Sequence, residues 1–303
     1  MRKVPMDDTM LTHPQPTQAD PARPRPGRSL RAAWWLSGLV AVLTVAVAMA
    51  GLGNDALHAG PAVLVAKFRG NDLATLAAGV TLLLLSLAGS VRGSTRSQLI
   101  WTGMLAYTIY NYAYYVYDPA FTDLFLPHAA IVVLSATALG LALTELRVTA
   151  RSRTAMRWVS GLLFLLAATM VGMYGVSLVR QAVTGQLSPD VLPLPPAQVH
   201  LGLALDLTMV VPSLALAGVL LWRRSPWGYA LGVATCVYVG VYQLNYLAAR
   251  YFVATAGVPG VTYADRWTCW SRPCSWPPCS PSSSTAGSLG SDPCSWPAER
   301  VRE

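Results

Sequence analysis

Charge is scarce in this chain, and lysine is all but absent from it. Only 12% of the residues are Asp, Glu, Lys or Arg, about half the ~25% of an ordinary soluble domain. Of the 22 cations, only Lys3 and Lys67 are lysine. Four histidines and five cysteines supply little for a metal centre, and no H-x3-H or His/carboxylate ligand spacing occurs. Also missing are the P-loop, the zincin helix, the nucleophile elbow and a dinucleotide fingerprint in a usable setting. No catalytic residue, cofactor or metal is therefore assigned. The net charge of +8 does not point to nucleic acid, because the arginines stand singly or in pairs beside apolar runs. The excess of Arg over Lys, with abundant Ala, Gly and Pro, indicates GC-rich coding DNA and a bacterial source.

What is present is apolar length. Apolar residues make up 53% of the chain, and runs of about 20 residues are what a helix needs to cross a ~30 Å hydrocarbon core. Seven such runs are read as spans, at 33–52, 73–91, 99–117, 124–143, 159–179, 199–222 and 229–247. Their interiors are too uniformly apolar for ordinary amphipathic helices, and helices satisfy the backbone groups that lipid cannot. The expected fold is an all-α polytopic transmembrane bundle over residues 32–250. Residues 1–31, with Pro14, Pro16, Pro21, Pro24 and Pro26, are expected to be disordered. The first span could be a signal peptide ending near Ala48-Met49-Ala50, but its polar leader and apolar core are both too long, which favours a retained anchor.

The cations set the orientation. Arg2, Lys3, Arg23, Arg25, Arg28, Arg31, Arg92, Arg96, Arg147, Arg151, Arg153, Arg157, Arg223 and Arg224 fall on the N-terminal side of the alternating topology. Lys67, Arg69, Arg180 and Arg250 fall opposite. The positive-inside rule then puts the N-terminus in the cytoplasm, with the protein in the cell inner (plasma) membrane. Trp34, Trp35, Trp101, Trp158, Trp222 and Trp227 gather at one set of ends and Tyr112, Tyr114, Tyr115, Tyr117, Tyr174, Tyr246 and Tyr251 toward the other, as interfacial belts do.

Asp206, inside the sixth span, is the leading candidate for chemistry. An acid there costs about 2.5–3.5 kcal/mol on insertion scales, so it should face the bundle interior and find a partner. It is either a proton- or ligand-binding group or an interhelical hydrogen-bond anchor. Tyr107, Tyr110, Tyr114 and Tyr117 make one helical stripe with Asn111 beside it, which could line an aromatic pocket or serve as packing and belt. His128 and His200 border the same end, and Gln243 and Asn245 add to a polar cluster there. Gly228, Gly232, Cys236 and Gly240 recur every four residues, a small face suited to a helix-packing partner.

The tail changes character after Asp265. Cys-Ser-Trp-Pro occurs twice, and Cys269, Cys274, Cys279 and Cys294 fit no common zinc spacing. A secreted disulfide module and a Pro/Ser-rich disordered tail are alternatives. Reverse translation favours a third reading. Trp followed by Pro must contain GCC, Ala, in the shifted frame, and Cys followed by Trp must contain a Leu codon. With TCN serine codons, the sixteen shifted codons from the 268/269 junction to the 283/284 junction encode no charge and are mostly Leu, Val or Ala. Residues 251–303 are thus expected to be irregular, out of frame after 265, with an eighth span hidden in the alternative frame.

Tyr110-Asn111-Tyr112-Ala113-Tyr114-Tyr115, Leu124-Phe125-Leu126, Asp206 with Pro212, and Arg223-Arg224-Ser225-Pro226-Trp227-Gly228-Tyr229 resemble segments of uncharacterised multi-pass bacterial membrane proteins. The resemblance spans about residues 33–265. It implies a helical bundle and no particular activity. The expected function is a non-enzymatic membrane protein in the lipid bilayer, binding a proton or small molecule through an outward-opening polar cluster. An intramembrane enzyme on lipid-linked substrates and a membrane scaffold are the alternatives.

Overall fold

In the computed structural model, residues 27–58, 60–118, 121–146, 153–185 and 194–256 are described. They are helical throughout apart from their connections. The helices are α1 (Arg28–Gly53), α2 (Ala62–Val91), α3 (Thr95–Val116), α4 (Phe125–Thr144), α5 (Arg153–Thr184), α6 (Pro196–Trp222) and α7 (Pro226–Thr255). All belong to one compact unit, Met1–Tyr263. The tail cysteines, the shifted-frame span and the proline-rich leader up to residue 26 lie outside the described residues.

Local signals explain the helix ends. Pro196 and Pro226 occupy first helical positions, where the missing N–H costs nothing. Ser94 caps α3 by accepting from the Ser97 N–H at 3.3 Å. The α2–α3 turn needs Gly93, whose φ is +85°, a left-handed conformation that glycine adopts without strain.

Each of the seven expected spans is a helix, but only six are long and apolar enough to cross a membrane: α1, α2, α4, α5, α6 and α7. The exception, α3, carries Thr, Asn and a run of Tyr, and its surroundings explain why it can. It packs against α2, α4 and α7 and touches the start of α6, and thirteen of its 22 residues are buried. A helix enclosed by protein can be polar where a lipid-facing one cannot. Around it, α1 lies against α4 and α2, and α7 against α2 and α6, while α5 rests mainly on α6. The outer helices bury single stripes, as α4 does with His128, Ile131, Ser135, Ala138 and Ala142, the i, i+3, i+4 pattern of one helix face.

Glycines bring α7 close to the centre. A Cβ on Gly103 would stand 2.8 Å from the Ala234 carbonyl oxygen, and one on Gly70 would stand 2.7 Å from that of Ala248. The four-residue stripe of α7 is divided by the structure. Gly228 and Gly232 pack on Leu220 and Leu221 of α6, whereas Gly240 meets open space and Cys236 is exposed. Half of the stripe is thus an intramolecular contact, and Cys236 makes no such contact with α6. The tryptophan belt also divides. Trp35 and Trp158 are exposed, but Trp101 is completely buried and donates from Nε1 to the Ser37 hydroxyl at 3.0 Å.

Two helices contain a widened π-helical turn, Thr75–Val80 in α2 and Asp206–Val210 in α6. In α6 the Val211 N–H reaches back to the Asp206 carbonyl, directly before Pro212. Proline has no N–H to give and its ring crowds the carbonyl four residues earlier. The wider turn accommodates it, and such turns re-aim side chains at functional sites.

Candidate functional site

The π-turn of α6 begins at Asp206 and turns its carboxylate into the bundle, where the residue is 3% exposed. The Tyr110 hydroxyl, from α3, donates to Oδ1. The Tyr174 hydroxyl, from α5, donates to Oδ2. One acid thereby joins the central helix to the outermost one. Tyr110 sits at the middle of an aromatic group, with its ring edge-on to Tyr114, Tyr238 and Tyr242 at centroid distances of 5.4, 5.2 and 4.9 Å. The Tyr114 hydroxyl is 3.3 Å from that of Tyr110. Lys67 of α2 reaches the same group, its Nζ 5.1 Å from the centroid of Tyr114.

Asn111 and Asn245 do not join Asp206. They form a second network around the other π-turn. The Asn245 amide nitrogen lies 2.6 Å from the Tyr107 hydroxyl and 2.7 Å from the Asn71 side-chain oxygen. Its contacts to Thr75 and Asn111 are longer, both 3.2 Å. An amide has two protons to give, so the two short contacts take them. The network continues outward through α2. Asn71 donates to the Tyr115 hydroxyl at 2.8 Å, Tyr115 donates to Asp72 at 2.6 Å, and His58 lies 3.2 Å from the other Asp72 oxygen. His58 and Asp72 are both buried. This chain cannot relay protons along its length, because the Asn71 and Asn245 amides do not give up and regain a proton as a hydroxyl or imidazole does. It fixes the register of α2, α3 and α7.

The remaining expected site residues are dispersed. His128 is buried against Tyr115, with ring centroids 4.7 Å apart, and so borders the second network rather than Asp206. His200 and Gln243 are exposed and belong to neither network, which corrects the expectation that Gln243 adds to the polar cluster. The helical turn explains Gln243: it is two residues from Asn245, about 200° round α7. Tyr117, the last of the stripe, is exposed as well.

Sequence reading missed Asp72, Asn71, Thr75, His58 and Tyr174. The first two stand just before the apolar run beginning at Leu73 and read as loop, although α2 starts at Ala62. The signal was helical spacing, since Phe68, Asp72 and Thr75 recur at i, i+4 and i+7. Tyr174 read as an interfacial residue because a belt tyrosine and a carboxylate-binding one look alike in sequence.

Among the described residues, no three His, Cys, Asp or Glu side chains gather as a metal-ligand set. Asp206 instead offers a buried carboxylate whose hydrogen-bond donors are both neutral hydroxyls. No described cation lies within ion-pair distance of it. Isolated buried charge is costly, so this group is suited to taking up a proton or another cation. Fold and site together define an all-α bundle with the build of a multi-pass membrane protein and a tyrosine-rich polar interior. Compared with known proteins, the chain matches no family model, no curated protein and no solved structure.

Proposed function

We propose that this is a multi-pass protein of the cell inner membrane that binds a proton or a small molecule at Asp206, as a sensor or transporter subunit rather than an enzyme. The observation that carries the reading is the Asp206 carboxylate, buried in α6 and held only by the hydroxyls of Tyr110 and Tyr174. This carboxylate bridges α3 and α5, so a change in its charge would act on the contact between the bundle centre and its outermost helix. Infrared difference spectroscopy of the purified protein in nanodiscs, across a pH titration, tests it. The expected result is a carboxylic-acid carbonyl band that disappears in Asp206→Asn while helicity is retained. A band unchanged by that substitution would refute proton binding at this residue.

Orientation rests on the arginines. Arg28, Arg31, Arg92, Arg96, Arg157, Arg223 and Arg224 stand at one set of helix ends, and Lys67, Arg69, Arg180 and Arg250 at the other. By the positive-inside rule the first set, and the N-terminus with it, is cytoplasmic, and the Asp206 site opens outward. Reporter tags at Met1 and after Thr255 are expected on opposite sides of the membrane. Tags on the same side would mean an even number of crossings and would remove α3 from the count.

A further inference from the structure

We infer that the cleft between α5 and α6, at their arginine-bearing ends, binds one anionic phospholipid. Its phosphate sits on Arg157 and Arg223, and an acyl chain runs along Phe164 and Val219. Phe164 of α5, Val219 and Trp222 of α6, and Arg223 just beyond α6 line an open cleft of about 290 Å³. The Arg157 guanidinium, from α5, lies over the Trp222 ring, 5.1 Å from its centroid, so a second cation stands at the same mouth. Both arginines are exposed. Among the described residues, neither has a carboxylate within ion-pair distance. Two positive charges thus border an apolar trough with no anion supplied by the described chain.

Packing shapes the trough. Gly218 lets the Phe164 ring lie against α6, since a Cβ there would stand 3.0 Å from it. Ser160, one turn earlier on α5, ties the two helices together at the Gly218 carbonyl. Val219 and Trp222 stay 38% and 53% exposed, and α5 leaves most of its apolar surface outside the bundle. In hydrocarbon these walls meet acyl chains, while the arginine end stands at headgroup depth, where Trp also settles. The occupant must therefore carry a negative head and an apolar tail. A free phosphate leaves the trough unused, and a zwitterionic lipid sets its own cation against the arginines. Basic pockets between spanning helices take anionic headgroups for this reason, and a guanidinium can donate to two phosphate oxygens at once.

The test titrates lipid into the full chain in non-ionic detergent and reads binding from thermal stabilisation. Phosphatidylglycerol is compared with phosphatidylcholine of the same chains and with glycerol phosphate, the head without tails. Saturable stabilisation by phosphatidylglycerol is expected, with phosphatidylcholine much weaker and glycerol phosphate inactive. Arg157→Gln and Arg223→Gln should each weaken that binding about fivefold, the equivalent of ~1 kcal/mol per basic residue beside anionic lipid. Arg157→Lys and Arg223→Lys keep the charge and should retain most of the affinity, which controls for folding. Arg92→Gln combined with Arg96→Gln, exposed at the same set of ends but outside the cleft, should leave binding unchanged. Equal loss in that pair would reduce the effect to general attraction by the cationic end and overturn the inference. So would equal stabilisation by phosphatidylcholine or glycerol phosphate, or cleft variants that bind phosphatidylglycerol as tightly as the parent.

Discussion

Helices α3 and α5 meet at Asp206 and are otherwise opposites. The first is mostly buried, with Trp101, Met104, Leu105, Tyr107, Tyr110 and Tyr112 almost inaccessible. The second has only 11% of its apolar window buried and turns Leu162, Leu165, Val171, Met173, Val176 and Val179 outward. Yet α5 is one of the most hydrophobic helices and α3 is not among the six apolar ones. In a soluble protein the buried helix would be the greasier. Here the solvent is hydrocarbon, so the outer helix must be apolar and the inner one is free to carry hydroxyls and amides.

That contrast can be broken most forcefully at a glycine. Gly103→Leu should drive a side chain into the Ala234 backbone of α7 and cost at least the upper end of the ~1–3 kcal/mol of overpacking, seen as lost thermal stability in detergent. Gly172→Leu on α5, where nothing lies within 4 Å, should be close to neutral. Equal effects would mean that α3 is not the central helix.

A smaller difference is expected among the polar residues of α7. Asn245→Leu removes the group joining Tyr107, Asn71 and Thr75 and should destabilise by about 1.5 kcal/mol, near the largest single hydrogen-bond coupling measured in membrane helices. Gln243→Leu, two residues away and exposed, should cost nothing measurable. Reversing that order in unfolding titrations would show the second network to be misplaced.

The smallest expected effect sharpens the picture of α5. Its buried Ser160 donates to the Gly218 carbonyl of α6 at 2.7 Å, and Ser160→Ala should cost about 0.6 kcal/mol, the average for such bonds. Combined with Tyr174→Phe, it should loosen α5 enough to raise hydrogen exchange in that helix while α3 stays protected. Uniform loosening of both helices would argue against α5 being the peripheral one.

Much of the fold was legible in the sequence, and less of the site. All seven helices follow from apolar runs and their breaks, and Asp206 and Asn245 stood out as polar residues where lipid would penalise them. Asp72 did not, because three polar neighbours made the first turns of α2 look like a loop. Trp101 and Tyr115 were read as belt residues, since aromatic rings near a span's end suit headgroups and protein interiors equally. The single expected cluster became two because Tyr107 and Tyr110, three residues apart on α3, point about 60° away from each other, toward different neighbours.

The sequence by itself determined that the chain folds into long helices and that most of them are dressed for lipid. Each segment must satisfy its own backbone hydrogen bonds and present its own side chains to hydrocarbon, and both are local properties. Only the tertiary structure decided which helix is central, that Tyr110 and Tyr174 share Asp206, and that His58 and Asp72 meet beneath Tyr115. In an apolar interior a polar group takes whichever partner the neighbouring helix brings within about 3 Å, and that depends on the register and rotation of helices far apart in the chain.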